Sequence, residues 1–254
     1  MSLDLYYFTG GPRKQVLEAI IEAGHRIRHV FPNSPGKWPK VASTIEYAKN
    51  LDIPVTVIER KSDLDDVADI IADGICFSAG FAYLFPKAFL DSISVCINVH
   101  GSLLPHYAGA RTLSWVIENG EVESGVTVHL VDEGMDTGPI ILQRAFPLSP
   151  FDTTASLARK TAEFEPDVVV DALAKFEALG LDGCEPQPKH KTPALPNRIP
   201  EHSRIDPALP LADLINKIRA SNIDHYPAFF DIHGQKVCIQ LWRPNKPVDE
   251  TDLL

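Results

Sequence analysis

Two short segments of this 254-residue chain carry residues whose types and spacing could do chemistry. The first is Ile97-Asn98-Val99-His100-Gly101-Ser102-Leu103-Leu104-Pro105. The second, about thirty residues later, is Val131-Asp132-Glu133-Gly134-Met135-Asp136-Thr137-Gly138-Pro139. Asn98 and His100 are two apart in an expected strand, so their side chains leave one face while Ile97 and Val99 leave the other. Polar groups on an otherwise apolar strand are costly unless they find partners. An amide, an imidazole and a carboxylate brought together can move an acyl group onto an amine without a metal or a covalent enzyme intermediate. The carboxylate is not chosen by the residues themselves. Asp132, Glu133 and Asp136 share the loop, where acids and glycine also serve as turn formers, and a strand-end Asn or His can equally cap backbone.

The elements that must position these groups follow from periodicity. Short apolar runs at Leu5–Phe8, Ile27–Phe31, Val55–Ile58, Ile75–Ser78 and Val95–Val99 read as strands. Helical spacing at Pro12–Ala23, Val41–Leu51, Leu64–Ala72 and Pro86–Leu90 separates them. This alternation predicts right-handed crossovers and a Rossmann-like, doubly wound, mostly parallel α/β sheet, with ligands at the carboxyl ends of its strands. Gly125–Val131 and Ile140–Phe146 read as an antiparallel pair at the sheet edge. Thr153–Leu179 reads as a long helix, capped by Asp152 or Thr153 and kinked or divided by Pro166. Residues 181–200, with Pro186, Pro188, Pro193, Pro196 and Pro200, read as an extended Pro-rich linker. A helix at Ala212–Ser221 and a hairpin around His233-Gly234-Gln235 form a small C-terminal α+β module. The expected division is thus 1–180, a catalytic domain; 181–200, the linker; and 201–254, the module.

A net charge of −10 with no basic run argues against nucleic acid as a partner. The four cysteines, Cys76, Cys96, Cys184 and Cys238, make no CxxC pair, and no metal cluster is visible. There is no signal-like amino terminus and no apolar run of membrane-spanning length, so a cytoplasmic protein without a membrane partner is expected.

Asn-x-His-x-Ser-Leu-Leu-Pro followed by Asp-Glu-Gly-x-Asp-Thr-Gly resembles the signature of formyltransferases that use N10-formyltetrahydrofolate. Trp115–Glu121, Ser124–Thr127, Val41–Pro54, Arg198–Glu201 and Arg204–Asp206 extend the resemblance over almost the whole chain. It implies the formyltransferase fold and a catalytic set of Asn98, His100 and Asp136. The amine would attack the formyl carbon directly. Asn98, together with a protonated His100, would stabilise the oxyanion, and His100 would carry the amine's proton to the folate nitrogen. Asp136 would hold His100 or a catalytic water in place and favour the imidazolium form. By the same resemblance Phe81, Tyr83, Leu84, Leu103, Leu104 and the backbone of Val131, Asp132, Glu133, Gly134 and Met135 line the folate pocket, with no metal.

Family members differ in the amine they accept: glycinamide ribonucleotide, initiator methionyl-tRNA or a nucleotide-linked amino sugar. The tRNA enzymes usually carry a longer, basic carboxyl-terminal barrel and often a basic residue where Ala108 stands here. The purine enzymes are generally shorter. The expected acceptor is therefore a GDP- or dTDP-linked 4-amino-4,6-dideoxyhexose, GDP-perosamine for example, on a route to the O-antigen of lipopolysaccharide. Its diphosphate would meet Gly10, Gly11, Arg13 and Lys14 at a helix start, with Tyr107 and Arg111 nearby. Lys37 is a further cation, and Trp38 or Trp242 another platform for the base. A homodimer is the expected assembly. The alternatives are a methionyl-tRNA formyltransferase and a catalytically idle folate-binding module.

Overall fold

The structure, a computed structural model, describes residues 2–188, 195–222 and 226–247. Six strands form the main sheet: β1 (Asp4–Thr9), β2 (Arg26–Pro32), β3 (Ile75–Ala79), β4 (Val95–His100), β5 (Glu123–Leu130) and β6 (Ile140–Pro147). Their order is β2-β1-β3-β4-β5-β6. The first four strands in that order are parallel, and β5 runs antiparallel to both its neighbours. The anticipated α/β architecture with an antiparallel edge pair is therefore present.

The helices are α1 (Lys14–Glu22), α2 (Ala42–Asn50), α3 (Asp63–Ile71), α4 (Lys87–Asp91), α5 (Leu113–Glu118), α6 (Thr154–Leu179) and α7 (Leu211–Ala220). They cover both faces because the inner strands are apolar on both. Leu5, Tyr7, Phe77, Ile97 and Val99 pack against Leu17 and Ile20 of α1 and Val168, Val169 and Leu173 of α6. On the opposite face Phe8, Cys76 and Cys96 pack against Leu64, Val67 and Ile71 of α3 and Phe89 of α4. Period-two alternation thus sends Ile97 and Val99 into one core. Cys96, Asn98 and His100 face the other way.

One expectation fails and one of two alternatives is excluded, each for an identifiable reason. Val55–Ile58 is not a strand of the sheet. It runs beside β2 but forms only isolated bridges, Val30 with Val55 and Asn33 with Ile58. Thr56 donates to the Val30 carbonyl and Ile58 to that of Pro32. Pro32 has no N–H to return the bond between them. Nor does Pro166 divide α6, which runs unbroken from Thr154 to Leu179. A helix-interior proline costs about 3 kcal/mol. The buried Val168, Val169, Ala172, Leu173 and Phe176 beyond it recover more than that, at roughly 1.5–3 kcal/mol for each larger side chain. The start of α6 resolves the cap. Thr153 accepts the Ser156 N–H, and Ser156 Oγ accepts the Thr153 N–H.

After α6 the chain is extended and held down. Glu185 and Ile140 exchange backbone hydrogen bonds, and Gln187 Nε2 donates to the carbonyls of Asp136 and Gly138. Residues 189–194, Pro193 among them, lie outside the described residues. Arg198 is buried, pairs with Glu118 at 2.5 Å and lies over the Trp115 ring. Beyond it, α7 packs on a two-stranded sheet of β7 (Ala228–Ile232) and β8 (Gln235–Ile239). The connecting His233 and Gly234 both have positive φ, at 50° and 77°, as a two-residue hairpin turn requires. No helix among the described residues is long and apolar enough to cross a membrane.

Candidate functional site

Asn98 lies between two neighbours in register, Ser78 on β3 and His129 on β5. Because β5 is antiparallel, it ends beside the middle of β4, where the Val131 N–H donates to the Cys96 carbonyl. The following loop, residues 131–139, must then climb back across the sheet face that carries Asn98 and His100. It passes so close to β5 that a Cβ on Gly138 would lie 2.0 Å from the Leu130 carbonyl oxygen. Residue 138 must be glycine for that approach.

This loop separates the three acids that the sequence left open. Asp132 Oδ1 accepts from the Gly134 N–H at 3.0 Å and the Thr137 hydroxyl at 2.6 Å, and so it builds the turn. Glu133 is exposed and pairs with Lys87. Asp136 alone turns inward, on a backbone of positive φ (55°). Its Oδ2 lies 3.4 Å from His100 Nδ1, and its Oδ1 lies 3.5 Å from His129 Nε2. The Gly109 N–H donates to Oδ2 at 2.8 Å.

The ring nitrogens are assigned by their partners, since a carbonyl can only accept. His100 Nε2 is 2.9 Å from the Tyr107 carbonyl oxygen and therefore carries a hydrogen. The Nδ1 lone pair of neutral His100 is left facing Asp136. Burial pushes the His100 pKa below its ordinary value, against the pull of Asp136. Asp136 thus favours imidazolium, as expected, but burial outweighs it and the balance lies toward neutral imidazole. Burial alone would raise the Asp136 carboxyl, but its contacts with His129, His100 and the Gly109 N–H outweigh it and hold it well below the usual range. The result is a neutral base, with a fixed anion waiting beside the nitrogen that would take up a proton.

Asn98, His129 and Asp136 open onto a cleft of about 510 Å3, solvent at its mouth included. Ser78, Phe81, Tyr83, Leu84, Phe85 and residues 131–134 complete its lining. Leu84 stands at the rim, 58% exposed. Aromatic walls facing a run of backbone amides suit a flat heteroaromatic ligand with a hydrogen-bonding edge. Leu103, Leu104 and Met135 do not line it. Leu104 is buried, its N–H donating to Thr127 Oγ1. Leu103 packs toward Gly125, and Met135 lies outward near Gly109.

The expected acceptor contacts are placed less favourably. Gly10 and Gly11 follow β1 at the switch point between β1 and β3. A Cβ on Gly10 would meet Asn33 Oδ1 at 2.2 Å. Arg13 passes Gly80 and sets its Nε 3.1 Å from the buried Glu165 carboxylate. Lys14 turns away to Glu18 and the Tyr47 ring. The Tyr107 ring is no stacking platform either. It is buried, and its hydroxyl donates to Glu121 at 2.5 Å. Arg111 is exposed at positive φ, Trp38 meets Tyr83 edge to face, Lys37 donates to the Glu59 carbonyl, and Trp242 is 71% exposed. Sequence reasoning missed His129, Gly109 and Gln187. Only His129 left a signal, as the polar residue two after Thr127 on an otherwise apolar strand. Among the described residues no group of three or more His, Cys, Asp or Glu could hold a metal ion.

A sequence profile described as formyl transferase matches residues 14–173. A methionyl-tRNA formyltransferase of Koribacter versatilis is 33% identical over 223 residues, which cover 84% of this chain and 71% of that protein. Among solved structures, a sugar N-formyltransferase from Shewanella sp. is similar at a TM-score of 0.70 and 22% identity, over 94% of this chain and 97% of that one. WlaRD, a sugar 3N-formyltransferase crystallised in the presence of dTDP and 5-N-formyltetrahydrofolate, is similar at a TM-score of 0.73 and 22% identity. That match covers 93% of this chain and 85% of that one.

Proposed function

The chain belongs to the formyl transferase family and is an N-formyltransferase, and from that premise we propose that it moves the formyl group of N10-formyltetrahydrofolate onto the amino group of a nucleotide-linked amino sugar. The observation that carries the chemistry is that Asn98 and Asp136 line one cleft, with His100 Nδ1 3.4 Å from the Asp136 carboxylate. The folate supplies an activated formyl carbon. Phe81, Tyr83 and Leu84 flank its ring, and the backbone of residues 131–134 meets its polar edge. Asn98 Nδ2 donates an N–H to the oxygen that gains charge as the amine attacks. His100 Nδ1 accepts the amine's proton, since its Nε2–H is committed to Tyr107, and the imidazolium so formed gains the Asp136 carboxylate. His100 then returns the proton to the departing nitrogen.

The acceptor reading draws on the net charge of −10, which opposes a polyanion the size of tRNA, and on Arg13, whose side chain remains one-quarter exposed beside the switch point. The two crystallised sugar enzymes share the fold. GDP-perosamine is the example within this class. The methionyl-tRNA reading rests on the Koribacter relative. The test incubates the protein and formyl-folate with a panel of GDP- and dTDP-amino sugars and with methionyl-tRNA. Tetrahydrofolate release and the mass gain of one formyl group are then measured. Turnover confined to an amino-sugar nucleotide is expected. Turnover confined to methionyl-tRNA, with steep loss as salt rises, would overturn the acceptor assignment. Folate binding with no transfer to any amine would leave an idle folate-binding module.

A further inference from the structure

We propose that His129 is a positioning residue for this reaction, which fixes the orientation of the Asn98 amide through its own tautomer. The inference rests on the reading of Asn98 as the oxyanion donor.

His129 is buried, with 2% of its side chain exposed. Its Nδ1 lies 2.7 Å from the Leu130 carbonyl oxygen, which can only accept, so Nδ1 carries the hydrogen. In the neutral ring, Nε2 is then a lone-pair acceptor, and it lies 3.1 Å from Asn98 Nδ2. The amide has two orientations, nearly equal in shape and opposite in chemistry. With Nδ2 toward His129, one N–H is given to the ring and the second is left for the cleft that Asn98 lines. The flipped amide would set its oxygen against the Nε2 lone pair and withdraw its N–H groups from that side. A lost hydrogen bond plus lone-pair repulsion in a buried site separates the two orientations decisively. The chain of control runs from the Leu130 carbonyl to His129 to Asn98. Each link is set by β5 and β4 being register partners at residues 129 and 98.

His129 also lies 3.5 Å from Asp136 Oδ1, so it joins the two outer members of the trio. With Nδ1 committed to Leu130, Nε2 serves Asn98, and that fixed tautomer is what keeps the service in place.

Two measurements test the proposal. The first needs no acceptor substrate. Long-range 1H–15N correlation on protein with labelled histidine, with the His129 signals identified by their loss in His129→Gln, reports the tautomer at neutral pH. The Nδ1–H form is expected, and the Nε2–H form overturns the proposal. The second is steady-state transfer by His129→Leu, His129→Gln, Asn98→Ala and the Asn98→Ala/His129→Leu double variant. Removing one oxyanion donor costs about 10²–10³ in turnover. Misorienting it in His129→Leu should cost roughly 10–100-fold in kcat, with little change in KM for the folate. Gln offers an oxygen to the Asn98 N–H and should restore most of the rate. In the Asn98→Ala background, His129→Leu should cost less than about twofold, because its action passes through the amide. A full additive loss in the double variant overturns the proposal while leaving the Asn98 reading intact. An Asn98→Ala protein with unchanged kcat overturns that reading itself. If His129→Leu does not fold, His129→Gln and the tautomer measurement still decide.

Discussion

Replacing Asp136 with Asn keeps the shape of the side chain and its acceptor for the Gly109 N–H, and removes only the charge. In the structure that charge sits 3.4 Å from His100 Nδ1, with 13% of the His100 side chain and 16% of the Asp136 side chain exposed. At an effective dielectric constant of about 20, the attraction between this carboxylate and a full imidazolium is at most about 5 kcal/mol. A proton half transferred in the transition state would realise about half of it. Some 2.5 kcal/mol corresponds to roughly a seventy-fold fall in kcat. The pH profile supplies an independent signature. Burial places the His100 pKa below its ordinary 6.5 and Asp136 opposes that shift, so neutral His100 persists through neutral pH and the acid limb of kcat/KM falls below that value. Without the carboxylate the base becomes weaker still. Asp136→Asn should therefore show a lower plateau and an acid limb displaced to lower pH, measured by tetrahydrofolate release across pH 4–8. A plateau within twofold of the parent, or a limb displaced upward, would refute the assignment of the proton to His100 Nδ1. Thermal melts at neutral pH check that the variant is folded.

Stability should respond to the same carboxyl group in acid. Its folded pKa lies below the reference 3.8, so its contribution is fully present above that value and is lost as pH falls through the folded pKa. The difference in Tm between the parent and Asp136→Asn should close as pH falls below about 4. Gly138→Ala would place a methyl group 2.0 Å from the Leu130 carbonyl oxygen. The 131–139 loop must shift, at about 1–3 kcal/mol by analogy with overpacking, and transfer should fall with the Tm. Glu165→Gln leaves Arg13 without its buried anion. Breaking such a pair costs up to about 3–5 kcal/mol, less here because Arg13 is one-quarter exposed, and a lowered Tm should register it.

What could be read ahead of the structure was local. The spacing of Asn98 and His100 put both on one strand face, and the strand–helix alternation put that strand inside a parallel sheet. Thr153 was already a candidate cap. The failures share a non-local cause. Pro32 interrupts the ladder of a segment more than twenty residues away, and Pro166 is tolerated because residues beyond it are buried on strands read much earlier in the chain. Lys14 could not be told from a ligand contact until its neighbour Glu18 was seen to hold it. Tyr107 proved to act through its carbonyl, an atom that residue type does not reveal. His129 required the register between β4 and β5, which depends on the entire segment between them.

The direction of β5 decides where the chemistry sits. In a sheet of wholly parallel strands, the segment after each strand leaves beyond its carboxyl end, and a ligand collects there. Here β5 reverses, and its last residue, Leu130, pairs with Ile97. The loop that follows is delivered to the middle of β4 and crosses the sheet face to reach His100. Asn98, one pleat back from the strand end, is thereby enclosed between the loop and β3 instead of lying behind the site. That placement accounts for three otherwise unrelated features: the close pass at Gly138, the positive φ of Asp136, and the Gln187 amide gripping both residues' carbonyls from the segment after α6. If the crossing is what assembles the trio, Gln187→Ala, which touches no member's side chain, should lower kcat by loosening Asp136 while the folded core keeps its Tm within a few degrees. An unchanged kcat would mean that the loop holds its course by the Gly138 contact and the Asp132 turn alone.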